Sequence, residues 1–192
     1  MSLESWSLGT EYSIVRITSP KKERGTATLK AEGDLYTYLN KTGRTIKISG
    51  GMMGASWMGS HFTNDDLVRE TRLSDDFDIE LIYQGEEAGQ QIFRFELVPK
   101  PDAPVVWGRI DVAVRASDLQ PLSQLFYDED GKKVRLLVFS DHAEVGGRVL
   151  PRKLVMRPLD GSGEYTEIRY RKIDFAADID RSFFTVNRLK SL

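Results

Sequence analysis

Turn signals recur along this chain about every ten residues, and the segments between them alternate apolar and polar side chains with a period of two. The signals are Pro20-Lys-Lys-Glu-Arg-Gly25, Glu32-Gly-Asp34, Asn40-Lys-Thr-Gly43, Gln84-Gly-Glu-Glu-Ala-Gly89, Asp128-Glu-Asp-Gly131, Gly146-Gly147 and Asp160-Gly-Ser-Gly163. Glycine accepts positive φ, and Asp and Asn close tight turns locally. Between them, Phe93, Phe95 and Leu97 fall on one side of a strand, as do Ile110, Val112 and Val114. Leu150, Leu154 and Met156 share a side that also holds Arg152. Such spacing predicts an antiparallel meander, sandwich or barrel with one dry face. Long strands are expected over 132–144, 106–115 and 165–175.

The dry face has to be covered, and helix is scarce. Thr63-Asn-Asp-Asp-Leu-Val-Arg69 offers a Thr cap and an acidic first turn, which predicts a short helix. Residues 180–184 and 187–192 read as short helical turns. No long amphipathic helix could cover a sheet of about ten strands. No repeat, low-complexity tract or linker interrupts the 192 residues, so residues 1–192 read as one domain.

Composition removes several function classes. The net charge of −2 and pI of about 5.8 argue against a nucleic-acid binder. No window approaches the roughly 18–20 apolar residues of a membrane-spanning helix. With no cysteine in the sequence, disulfides, thiolate metal sites and a cysteine nucleophile are excluded. The two histidines, His61 and His142, form no metal-ligand pattern, so no metal or cofactor is expected. No Gly-x-Ser-x-Gly elbow is present, and the paired acids sit at turns and a helix start, so no catalytic residue is assigned. Charge is uneven: residues 65–80 carry seven acids against two arginines, and residues 132–172 ten basic against five acidic side chains. These runs read as solvated strand faces or as a polar rim that meets a partner or a lipid head group.

One stretch breaks the pattern. Gly50-Gly-Met-Met-Gly-Ala-Ser-Trp-Met-Gly59 packs three of the five methionines and one of the three tryptophans into seven residues, between glycines. It lacks the Gly-Lys-Ser/Thr ending of a phosphate loop, and its fillers are apolar. Two readings stand: a fixed core plug, or a mobile lid over an apolar cavity. Methionine adapts to irregular partners, and the glycines at 50, 51, 54 and 59 would supply hinge freedom.

The run Met58-Gly-Ser-His-Phe-Thr-Asn-Asp-Asp-Leu67, with Ser56-Trp57 before it, resembles a signature of the LolA-like outer-membrane lipoprotein-sorting family. Phe95-Glu-Leu-Val-Pro-Lys100, Pro121-Leu122 through Phe126-Tyr-Asp-Glu-Asp-Gly131, Gly147 to Pro151, and Ser182-Phe-Phe-Thr185 with Leu189 follow in the family's order. The resemblance implies a mainly β fold. Its expected form is a strongly curved antiparallel sheet, an incomplete barrel of about 10–11 strands, with short helices and a loop over the concave side. It also implies a periplasmic carrier that shields lipoprotein acyl chains or another lipid between the inner and outer membranes. An inner-membrane transporter or an outer-membrane receptor would be its partner.

Met1-Ser2-Leu3 runs directly into strand-like sequence, so the leading helix and signal peptide of the family are expected to be missing from this chain. The expected hydrophobic site comprises Met52, Met53, Trp57, Met58 and Phe62 from the lid, with Tyr36, Tyr38, Phe93, Phe95 and Leu97 from strands. Two other readings remain open: an adaptor subunit that delivers hydrophobic molecules to a membrane exporter, and an enzyme acting inside the same barrel.

Overall fold

The computed structural model describes residues 1–69, 73–103 and 105–192. It is built from twelve strands in two antiparallel meanders, with short helices only. The first sheet has the order β1 (Ser2–Leu8), β2 (Tyr12–Ser19), β3 (Ala27–Ala31), β4 (Asp34–Leu39), β5 (Arg44–Lys47). The second runs β6 (Phe77–Glu87), β7 (Gln90–Pro99), β8 (Arg109–Arg115), β9 (Pro121–Tyr127), β10 (Lys133–Val145), β11 (Arg148–Pro158), β12 (Thr166–Arg169). Every neighbour in space is a neighbour in sequence, as short turns dictate. Among the described residues neither sheet closes into a barrel. The expectation of a mainly β, antiparallel, unclosed architecture holds, with twelve strands rather than ten or eleven.

The turns explain the registers. Glu32-Gly33, Ala88-Gly89 and Gly146-Gly147 each place two successive residues at positive φ, joining β3 to β4, β6 to β7 and β10 to β11. Paired positive φ is the two-residue hairpin whose twist matches the strands it joins. At 84–89 the turn is tighter than expected, because β6 keeps its pairing out to Glu87. Two strands are shorter than expected. β8 begins at Arg109, and β12 ends at Arg169, beyond which Tyr170 N–H continues the ladder to Arg152 O.

By their contacts the described residues group into two compact units. The first holds residues 1–57, 63–71 and 176–192; the second holds 58–62 and 72–175. In the first, Tyr12, Ile14, Ala27 and Leu29 form a core with Phe184 and Leu189 of the C-terminal segment. That segment contains the turn Arg181–Phe183, capped by the Asp180 side chain, and helix α3 (Val186–Ser191), capped by Thr185. Ring contacts lock it down: Trp6 meets Phe183 at 5.7 Å, and Tyr12 meets Phe184 at 5.7 Å. Helix α1 (Asn64–Arg69) also belongs to this unit; helix α2 (Leu73–Asp76) leads into β6 in the second.

In the seven-stranded sheet, register assigns every side chain to a face. Leu97 opposes Ile79 and Ile110, Phe95 opposes Leu81 and Val112, and Phe126 opposes Ile110. Leu137 opposes Met156, and Phe139 opposes Leu154. These residues form one continuous dry face. The other face is laced with charges. Arg109 lies 3.8 Å over the Tyr127 ring, 3.2 Å from Glu96 and 3.1 Å from Asp111. Tyr127 donates to Asp111 at 2.7 Å, and its phenol pKa is raised by burial and then by that carboxylate. Glu167, held between Lys153 at 2.8 Å and Arg169 at 3.1 Å, is shifted below the ordinary glutamate range, chiefly by its bond to Lys153. The charge-rich run 132–172 thus includes ion pairs on the wet face.

Candidate functional site

The segment after β5 is folded, and each part has its own fastening. Ile48 N–H donates to Leu35 O, extending the β4 edge. A turn at Gly50–Met52 follows, and Met53 packs with Leu67 against Leu35 and Ile48. Backbone bonds then tie the two ends of the excursion together: Asn64 N–H to Ala55 O at 3.0 Å, and Asp65 N–H to Met53 O at 2.9 Å. The Asn64 side chain donates to Met52 O at 3.0 Å, which explains why this amide is buried. Helix α1 starts on a reciprocal cap. Thr63 N–H donates to Asp66 Oδ2 at 2.7 Å, and Asp66 N–H donates to Thr63 Oγ1 at 3.3 Å. The Thr cap read from sequence is therefore present.

Trp57 is the main anchor. Its indole is 6% exposed, and Nε1–H donates to Thr28 Oγ1 at 3.2 Å. Met58 follows with φ of 51° and Gly59 with φ of 72°. This left-handed pair turns the chain, and it is where glycine is needed. Gly50, Gly51 and Gly54 have ordinary φ and open space where a Cβ would stand. Their conformation does not require glycine.

The sequence-predicted site residues fall in both units. In the first unit, Tyr36 and Tyr38 lie on one face of the five-stranded sheet, opposite Leu29 and Ala27, and pack against the Tyr12–Phe184 core. Met53 and Trp57 use the other face, that of Leu35 and Thr28. The two tyrosines and the two lid residues are thus on opposite sides of one sheet. Met52 is 41% exposed.

In the second unit, Phe93, Phe95 and Leu97 share the dry face, with the two phenylalanine rings 6.4 Å apart. Leu97 is fully covered, whereas both phenylalanines are half-buried. Met58 and Phe62 belong to this unit and flank His61. His61 bonds Thr166 Oγ1 through its backbone N–H at 3.0 Å and its ring Nδ1 at 2.9 Å. Thr166 opposes Met156, so this fastening sits at the β12 end of the dry face. His61 Nε2 is 3.6 Å from Glu164. Nearby Asp160 is held below the ordinary carboxylate range, mainly by the Ser162 hydroxyl and N–H.

The dry face is the larger apolar element. It runs from Ile79 and Leu81, about half exposed, through Phe95 and Val112 to the buried Leu137, Phe139, Leu154 and Met156. Gln124 and Arg135 are polar residues in its middle. Gln124 opposes Val112 and Leu137. Arg135, 5% exposed, has its guanidinium 4.2 Å from both the Trp107 and Phe126 rings. Ring faces offset part of the cost of burying a cation. Leu154 and Met156 were legible as sharing a side, but no residue of this half was among the expected site residues. The alternation Arg135, Leu137, Phe139 was there to find it; Trp107 falls in the strand expected over 106–115 but precedes the observed one, which begins at Arg109.

Among the described residues no three His, Asp or Glu side chains come together to hold a metal ion. No helix among them is long and apolar enough to cross a membrane. Residues 9–191 match the model of a family described as "Uncharacterized protein", and the chain belongs to that family. No curated relative matches the sequence.

Solved structures do match. A domain from Vibrio parahaemolyticus, named for outer membrane lipoprotein sorting, superposes with a TM-score of 0.86 at 21% identity, over 98% of this chain and 82% of that one. A LolA superfamily protein from Nitrosomonas europaea gives 0.72 at 22% identity, over 96% of this chain and 81% of that one. The fold is LolA-like. A DUF1329 family protein from Desulfovibrio piger shares this LolA-like architecture, with a TM-score of 0.85 at 22% identity over 93% of this chain and 76% of that one.

Proposed function

We propose that this protein is a periplasmic lipid carrier that binds the acyl chains of lipoproteins, or of another lipid, for passage between the inner and outer membranes. The observation that carries the reading is the dry face of the seven-stranded sheet in a LolA-like fold. It is an apolar surface several strands wide, with partly exposed side chains at its β6 end and buried ones toward β11. Each methylene taken from water contributes about 0.8 kcal/mol, so a chain of ~16 carbons offers roughly 12 kcal/mol gross. Association and ordering costs remove much of it. A carrier needs that reduction, because it must release cargo without covalent chemistry. Phe93, Phe95 and Leu97 are the proposed wall, and Met58 and Phe62, beside the His61–Thr166 fastening, the proposed cover.

The test is native mass spectrometry of the mature protein taken from its own compartment, with titration of a fluorescent fatty acyl probe. Co-purified lipid and saturable probe binding are expected. Reproducible absence of both would sink the reading.

A further inference from the structure

β6 ends the seven-stranded sheet, and among the described residues no strand pairs with its outer side. That side presents alternate backbone N–H and C=O groups, a template for another strand. At eleven residues it is the longest of the four sheet edges; β1 has seven, and β5 and β12 have four each. Edges are usually blunted by shortness, lysine, proline or bulges. β6 has no Lys, Arg or Pro, and one register shift between Leu81 and Tyr83. Phe77 at its start is buried, but three apolar side chains beyond it are exposed: Ile79 by 50%, Leu81 by 49% and Ile82 by 48%.

The strand's own charge has one sign, although Arg94 of β7 pairs with Glu87 near its far end and Lys100 bonds the carbonyls of Ser74 and Asp75 before its start. Between residues 73 and 93 stand Asp75, Asp76, Asp78, Glu80, Glu86 and Glu87, with no Lys or Arg. Register sorts these by face. Ile79 and Leu81 oppose Leu97 and Phe95 on the dry face, while Asp78 and Glu80 oppose Val98 and Glu96 on the wet one. A strand laid along this edge would meet apolar side chains on one face and acids on the other.

We propose that β6 is a docking edge that takes up an extended segment of another protein as an added strand, and that this segment alternates basic with apolar side chains. Main-chain bonds supply the affinity of such pairing, and alternate side chains supply the choice of partner. The charge argues against a second copy. Antiparallel self-pairing centred on Leu81 brings Leu81 to Leu81, but sets the two Glu80 side chains diagonally across one face and doubles an already acidic strand. Diagonal neighbours are within reach of long side chains such as Glu, so this like-charge placement disfavours self-pairing. An anionic membrane surface is disfavoured for the same reason. The proposal does not depend on what the dry face binds.

The test uses the whole chain with a labelled nine-residue peptide of alternating Lys and Val, followed by fluorescence anisotropy and amide hydrogen exchange. Saturable one-to-one binding is expected, with slowed exchange confined to β6. The peptide with alternate amides N-methylated should not bind, because it cannot complete the ladder. Asp78→Asn with Glu80→Gln, both exposed and close in shape, should weaken binding by about tenfold. Equal binding of the N-methylated peptide would mean surface charge attraction and overturn strand addition. So would absence of binding, or an Asn/Gln variant that binds as tightly as the parent. A peptide-free dimer with β6 already protected would make the second copy the occupant and overturn the proposal.

Discussion

Replacing Trp57 with alanine separates a fixed plug from a moving lid. The indole is 6% exposed and donates to Thr28 Oγ1, on a threonine that is itself 2% exposed. A buried tryptophan covers roughly 150–250 Å², which at about 25 cal/mol per Å² is worth some 4–6 kcal/mol gross. The lost bond leaves a buried hydroxyl short of a partner, at about 1 kcal/mol. Partial collapse of the site returns some of this, and measured Trp→Ala costs of about 3–5 kcal/mol set the expectation. Trp57→Phe keeps most of the volume and should cost about 1–2 kcal/mol.

Urea titration gives the loss, and hydrogen exchange at the amides of β2 to β4 locates it in the five-stranded unit. The same variant constrains the ligand. If an acyl chain had to displace Trp57, binding would carry that ~4 kcal/mol as a penalty. Removing the indole would then tighten a fluorescent acyl probe by up to about a thousandfold. The structure predicts instead a large stability loss with probe affinity unchanged to within about threefold. A stability loss under about 1 kcal/mol, together with probe binding tighter by tenfold or more, would refute the plug assignment.

Three further outcomes follow from other parts of the molecule. Phe95→Ala removes a half-buried ring from the dry face, so it should weaken acyl-probe binding by about tenfold while costing less stability than Leu97→Ala, whose side chain is fully covered and worth about 2–5 kcal/mol; probe titration beside urea denaturation reads both. Ala88 holds φ of 50° in the β6–β7 turn, and Ala88→Asn should stabilise by about 0.5–1 kcal/mol, since Asn tolerates that region and favours this hairpin; thermal unfolding measures it. Glu167 has a folded-state pKa lowered by Lys153 and Arg169, so its contribution is present above the ordinary glutamate range and fades as pH falls through the lowered value. Glu167→Gln should therefore destabilise at neutral pH and flatten the acid limb of a stability–pH curve, and an unchanged limb would show that the pairing contributes nothing.

What could be read from sequence was whatever is written locally. Period-two alternation placed Phe93, Phe95 and Leu97 together, and the register confirms their shared face with Val112 and Ile110. The Thr63 cap and the turns at Glu32-Gly33 and Gly146-Gly147 were equally visible, because each is fixed by a few neighbouring residues. What could not be read was which elements a face meets. Tyr36 and Tyr38 alternate like cavity residues, yet their partner is the C-terminal segment around Phe184, some 146 positions away. Strand parity places side chains on a face but does not say what covers it. Gly50, Gly51 and Gly54 suggested hinges by composition, whereas the left-handed turn is made by Met58 and Gly59.

The expected lid residues divide between the two units. Met53 and Trp57 are committed to the Leu35–Thr28 face of the five-stranded sheet, through a core contact and an indole bond. Met58 and Phe62 belong to the seven-stranded unit and flank a histidine held to Thr166 by two bonds. If cargo competes with protein side chains for the dry face, Met58 and Phe62, two of the five expected lid residues, are the proposed competitors from the same unit. At about 1.5–3 kcal/mol for each side chain displaced, the penalty is roughly 3–6 kcal/mol against a gross gain near 12. On the carrier reading proposed above, that would leave an affinity modest enough for release.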